Sequence, residues 1–296
     1  MKKNILPHLA LLGTNLFFGI NLSAAKYLID NGLVKAFGLN LIRIGVTALL
    51  LWVVGLFRNR ALKIKKKDFL RFVLCAVTGI VINQLLFIKG LSLTFSIHAG
   101  LLMLITPILI SIIAAWILKE KLSSNKMLGL GLGFVGAAVL IGSKAQSGDS
   151  TNMVLGDFLI IINAISYTIY FILVKPLMER YRPVDVIKII FTMGLVLAMP
   201  FCWTEFKTTA WDQFTTTSWI LLLLVVFCGT FLAYLFNIYG IKKLGASVAG
   251  AYIYSQPAFA TIIAVIFLNE EIEIYKIIAA IFIFSGVYLA NRKQHR

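Results

Sequence analysis

The chain has 296 residues, 60% of them hydrophobic and only 14% charged, with a formal net charge of +16. That leaves too little polar surface to cover a soluble core of this size. The positive balance does not point to nucleic acid, because the cations sit in short connections between apolar blocks rather than on one folded face.

The apolar blocks predict an all-α integral membrane protein with ten spans, near 6–28, 38–57, 70–89, 96–118, 126–143, 156–175, 185–203, 217–240, 246–268 and 273–291. In the first, Lys2 and Lys3 precede an apolar stretch as in a secretory signal. The stretch contains Asn15 and Asn21 and is long enough to cross, so a retained span is expected. Lys26 snorkels or pairs with Asp30, one turn on. Arg43 opens the second span; a cation there either faces a cavity or partner or snorkels to the surface. The basic loop Arg58–Asp68 follows, then a third span carrying Asn83 and Gln84.

The fourth span holds His98, packed or facing a solute path, and Pro107, and it closes on Lys119-Glu120-Lys121. The fifth contains Gly131-x-Gly133-x-x-Gly136, which imitates a dinucleotide fingerprint but follows no strand. Gly129 and Gly133 also make a GxxxG, so close helix packing is expected there, within the chain or in a homodimer. After the loop Lys144–Gly156 comes a sixth span with Asn163, Ser166, Tyr167 and Tyr170, and the eighth carries Tyr234 and Asn237. In the ninth, Tyr252, Tyr254, Ser255 and Gln256 form the densest polar-aromatic patch inside a span, just before Pro257. Pro107 and Pro257 each remove a helical hydrogen bond, predicting kinks that act as hinges or are held static by packing. Glu120 and Glu270 end the fourth and ninth spans as gate candidates or as solvated end residues.

Counting Lys and Arg on alternate sides puts both termini in the cytoplasm of a cell-membrane protein. The outer connections then hold only Lys35, Lys89, Lys144, Lys207 and Lys276. Cys75, Cys202 and Cys228 are far apart, with no CxxC and no metal spacing, so they read as apolar packing residues. No metal, cofactor or catalytic set is expected.

Shifting the sequence by 150 residues superposes Gly90 on Gly240, Pro107 on Pro257, Glu120 on Glu270 and Gly136 on Gly286. Two five-helix repeats, 1–145 and 150–296, are therefore expected. Five is odd, so the second enters the membrane from the opposite side, the architecture of many secondary transporters.

The pattern Ala99…Pro107…Glu120…Gly136, repeated as Ala249…Pro257…Glu270…Gly286, resembles the drug/metabolite transporter superfamily, EamA-like branch, across essentially the whole chain. Asn40-Leu41-Ile42-Arg43 is similar to that family's Arg-bearing start of the second helix; Phe18-Gly19 departs from its Trp-Gly. The resemblance implies a secondary transporter, an exporter of amino acids or related metabolites; the alternative reading is a channel or a membrane-embedded lipid-modifying enzyme. The expected solute path uses Asn15, Arg43, Asn83, His98, Tyr167, Tyr252, Tyr254, Ser255 and Gln256. No acidic residue falls in mid-span, with Asp157 coming closest at a helix edge. A neutral to positive cavity favouring carboxylate-bearing solutes follows.

Overall fold

The computed structural model describes residues 5–56, 64–106, 109, 124–144, 150–244, 252–269 and 271–291. These residues are helical throughout, with no strand among them. The helices are α1 (Leu6–Asp30), α2 (Ala36–Leu56), α3 (Lys66–Leu93), α4 (Ser96–Leu102), α5 (Ser124–Lys144) and α6 (Ser150–Arg180). They continue with α7 (Pro183–Lys207), α8 (Thr216–Leu244), α9 (Gln256–Leu268) and α10 (Ile274–Asn291). Six of them, α1, α2, α3, α6, α7 and α8, are long and apolar enough to cross a membrane. The expected spans 96–118 and 246–268 fall partly outside the described residues, and with them Pro107, Glu120 and Glu270.

Local chemistry sets the helix ends. Pro7 and Pro183 stand in the first turns of α1 and α7, where a missing N–H costs nothing. Beyond α1 the chain turns at Gly32, whose φ of +69° suits a residue without Cβ. The Thr215 hydroxyl accepts from the Ser218 N–H and starts α8. Pro257 lies in the first turn of α9, after a 3-10 turn at Ile253–Ser255, so the break comes at the junction of two helical forms. Pro176 and Pro200 stand inside α6 and α7, and neither was among the expected kinks.

Burial is inverted relative to a soluble protein. Leu49, Phe201 and Phe267 are 62%, 63% and 71% exposed, whereas Asn15, Asn40, Arg43, Thr230 and Gln84 are buried. An apolar exterior around a hydrogen-bonding interior is what lipid demands. Two apolar clusters divide the bundle lengthwise. One joins the ends of α1 and α3 to α4, α9 and the start of α8 (Leu28, Leu91, Leu102, Ala260, Leu222). The other joins α2, the start of α3, α6 and α7 (Leu51, Phe72, Leu177, Phe191).

Several contacts recur at an interval of 150 residues. A Cβ added at Gly286 would meet the Gly129 carbonyl at 2.5 Å, and one added at Gly136 the Ala279 carbonyl at 2.9 Å. The α5 glycines thus pack within the chain, against α10. Gly79 lies against Tyr170, and Gly229 against Asn21. A π-helical stretch interrupts α3 at Val77–Ile82 and α8 at Leu224–Leu232.

Candidate functional site

A cavity of about 110 Å³ lies between the two apolar clusters. Its wall takes Thr14, Asn15, Phe18 and Asn21 from α1, Arg43 from α2, and Asn83, Gln84 and Phe87 from α3. Met103 and Thr106 follow α4, Asn163 and Tyr167 come from α6, and Tyr234 and Asn237 from α8. Ile253 and Gln256 close it at the start of α9. No carboxylate lines it among the described residues.

Arg43 is the cation of this wall, at 4% exposure. Its Nε donates to Thr230 Oγ1 at 3.1 Å, and the Thr230 hydroxyl donates to the Val225 carbonyl at 2.9 Å. The π-helical stretch of α8 places that carbonyl five residues back, so the irregular turn anchors the guanidinium. Arg43 Nη1 is buried and meets no hydrogen-bond partner. Snorkelling is therefore not its role; an inward-facing cation with an unfilled donor suits an anionic group.

The amides act partly as helix glue. Asn163 Nδ2 donates to the Asn83 carbonyl at 2.6 Å, and Asn83 Nδ2 donates back to the Asn163 carbonyl at 3.4 Å, joining α3 to α6. Asn15 Nδ2 donates to the Leu11 carbonyl within α1. Gln84 Nε2 donates to the Tyr234 hydroxyl at 3.4 Å. Gln84 and Asn163 have their amide donors engaged, and Gln84 Oε1, Asn163 Oδ1 and Asn21 Oδ1 are buried without partners.

A second cavity of about 260 Å³ shares Tyr167, Tyr234 and Asn237 with the first. It continues along α6 past Val174, Lys175 and Glu179 to Ile187 of α7. This end of α6 is also where Arg180 and Tyr181 hold Asp68 at the start of α3. The tyrosine pair and Asn237 form the neck between a central chamber and one end of the bundle.

The expected path residues separate. Asn15, Arg43, Asn83, Tyr167 and Gln256 line the central cavity. Tyr252 turns away, sharing a 2.8 Å hydrogen bond with His8 Nδ1, and Ser255 Oγ donates to the Tyr252 carbonyl in its own turn. The Tyr254 side chain lies outside the described residues. His98 is absent from the lining; its Nδ1 lies 3.2 Å from Asp157 Oδ2. Lys26 pairs with Asp30 at 3.2 Å. Asp157, expected at a helix edge, is fully buried, and so is Asp68 from the basic loop. Lys276, counted among the outer-loop cations, is 3% exposed. Thr230, Phe87 and Thr106 carry no signal in the sequence, because a mid-span threonine or phenylalanine looks like any packing residue.

A helical bundle with a lipid-compatible surface around a buried polar chamber is a multi-pass membrane protein. The profile of the EamA-like transporter family matches residues 5–142 and again 154–292, and the chain belongs to that family. It is 24% identical over 84% of its length to an uncharacterized transporter of Archaeoglobus fulgidus, covering 84% of it. It is 23% identical over 98% to the uncharacterized transporter YyaM of Bacillus subtilis, covering 94%. It is 26% identical over 86% to a probable terminal-alkyne amino-acid exporter of Streptantibioticus cattleyicolor, covering 84%. One solved crystal structure shares the fold, with a TM-score of 0.66 and 20% identity over 97% of this chain and 98% of the other.

Proposed function

We propose that this protein is a secondary transporter working by alternating access, and that it exports amino acids or related carboxylate-bearing solutes. The observation that carries the reading is Arg43: a buried guanidinium with a free Nη1 on the wall of a cavity whose described lining holds no acid. A solute carboxylate satisfies that donor. The buried oxygens of Gln84, Asn163 and Asn21 accept from an ammonium group. The site thus offers a cationic donor and neutral acceptors, complementary to a zwitterion. The relative from Streptantibioticus cattleyicolor, with its amino-acid exporter name, points the same way.

Alternating access follows from two inverted five-helix repeats with ten spans. What supports that reading is the interval of 150 residues at which the glycine contacts and π-helical stretches recur, together with the twofold family match. Both termini are cytoplasmic in this reading, so the second cavity, with Lys175 and Glu179, opens inward. Counterflow of a radiolabelled amino-acid panel in proteoliposomes tests the function. Saturable exchange of carboxylate-bearing solutes, weakened by about 10- to 100-fold in R43Q, is the expected result. Flux without counterflow means a channel and overturns the reading.

A further inference from the structure

Asp157 is fully buried at the start of α6, and both of its carboxylate oxygens accept hydrogen bonds. Thr94 Oγ1, at the end of α3, donates to Oδ1 at 2.5 Å. His98, in α4 and also fully buried, lies with Nδ1 3.2 Å from Oδ2. Facing a carboxylate, Nδ1 carries the hydrogen, which leaves Nε2 as the open position of the ring. Nε2 is buried and meets no hydrogen-bond partner. Glycine contact builds this corner: a Cβ at Gly90 would meet the Gly156 carbonyl at 2.8 Å, so α3 and α6 cross closely just beside Thr94 and Asp157. Asp68, Arg180 and Tyr181 join the same two helices at their other end. Helices α3 and α6 are thus tied at both ends, and His98 adds a polar contact from α4.

The other charged groups near the corner come mainly from α10 and the residues before it. The Tyr275 ring centroid is 6.0 Å from that of His98, and the Tyr275 hydroxyl donates to Glu273. Lys276 Nζ lies 4.9 Å over the ring of Phe95, which itself stacks edge-on to His98, and donates to the Glu271 carbonyl. On α3, Lys89 is half-buried; on α1, Lys26 and Asp30 pair with each other.

We propose that His98 and Asp157 form a proton-binding latch that holds the outer end of the carrier closed. The assignment of this end as outer rests on the transport reading above. With a neutral imidazole the pair holds one shared proton and one net negative charge, a costly arrangement in a buried site. A proton taken from the outer solution onto Nε2 makes an imidazolium–carboxylate pair with no net charge. Closure is then favoured. Loss of that proton restores the lone charge and favours opening to water. Imidazole is the side chain suited to this exchange near neutral pH. The latch joins the two stretches matched by the family, since His98 and Thr94 belong to the first and Asp157 to the second. At the opposite end, near the positions 150 residues away, the corresponding contact is His8 with the Tyr252 hydroxyl, which carries no carboxylate. Of these two contacts, the outer one pairs an imidazole with a carboxylate.

A substrate-free labelling experiment tests this. Thr106, on the cavity wall, is replaced by cysteine in a chain whose Cys75, Cys202 and Cys228 are changed to alanine. A membrane-impermeant maleimide is then added outside sealed proteoliposomes. Because the thiolate is the reacting form, each rate is taken relative to that of a cysteine placed at Asn31, exposed at the same end of the bundle and labelled at the same pH. With the latch intact, this ratio falls severalfold as external pH drops from about 8 to about 6 at constant internal pH. In H98Q and in D157N the ratio becomes independent of external pH, and monodisperse elution of each variant in detergent shows that the flat profile comes from folded protein. A response that survives in H98Q, that disappears instead in K276M, or that follows internal pH overturns the latch. Failure of every amino acid in the counterflow panel overturns the transport reading but leaves this result standing.

Discussion

Gln84 Nε2 donates to the hydroxyl of Tyr234 at 3.4 Å, and the two residues are 150 positions apart, the interval that superposes the chain on itself. Residues equivalent under a two-fold operation meet each other only near its axis. In the two-repeat reading proposed above, that axis passes through the central cavity, whose wall both residues join. Because the two share a contact, their substitutions are not independent. Y234F and Q84L are each expected to slow counterflow a few-fold. The double variant is expected to be no slower than the worse single one. A double-mutant cycle on exchange rates checks this.

In the proposed binding mode, Arg43 uses a planar fork already engaged at Nε by Thr230, which leaves Nη1 for solute. Hydrogen bonds to charged groups contribute about 1.5–3 kcal/mol. R43Q is therefore expected to weaken half-saturation for carboxylate-bearing solutes by about 10- to 100-fold. R43K is expected to fall between, since an ammonium keeps the charge but loses the fork. Esterified amino acids should lose the preference in the parent protein and show little further loss in R43Q. Competition in the counterflow assay measures all three.

Close packing of α5 on α10 makes a clean stability contrast. A methyl group at Gly286 runs into the Gly129 carbonyl, whereas one at Gly131 meets nothing within 4 Å. Gly286→Ala is expected to destabilise by about 1–3 kcal/mol through overpacking. Gly131→Ala is expected to stabilise by about 0.5–1 kcal/mol through helix propensity. Thermal unfolding of the two variants in detergent shows the opposite signs.

Ion pairs differ in the same way. Asp68 is 3% exposed at its side chain and is held by Arg180 and Tyr181. Arg180→Gln leaves the Asp68 carboxylate with the Tyr181 hydroxyl alone and is expected to lower stability measurably. Lys26 pairs with an Asp30 side chain that is 49% exposed. Lys26→Gln is expected to change stability by less than about 1 kcal/mol. The two melting temperatures, compared with the parent, test this ranking.

Much of the fold was legible in the sequence because lipid imposes long apolar runs and confines cations to connections. The expected spans 38–57 and 185–203 correspond closely to α2 (Ala36–Leu56) and α7 (Pro183–Lys207). Polarity at membrane depth is rare enough to flag Asn15, Arg43, Asn83, Tyr167 and Gln256, and these do line one cavity. Orientation around a helix axis was not legible. Tyr252 and Gln256 are near in sequence yet part company, one toward His8 and one toward the cavity. Asp157 looked like a helix-edge acid because the residues that bury it, Thr94 and His98, arrive from another part of the chain. Nor does periodicity announce a π-helical turn such as Leu224–Leu232, the feature that lets Thr230 hold Arg43.

The central claim is that Arg43 receives a solute carboxylate in an alternating-access carrier. Counterflow of a radiolabelled panel of amino acids, their esters and organic cations, on the parent protein and R43Q side by side, tests it most directly. Saturable exchange of carboxylate-bearing solutes by the parent, with loss of that preference in R43Q, is the predicted result. Exchange of organic cations in preference to carboxylates, unchanged by R43Q, would contradict it.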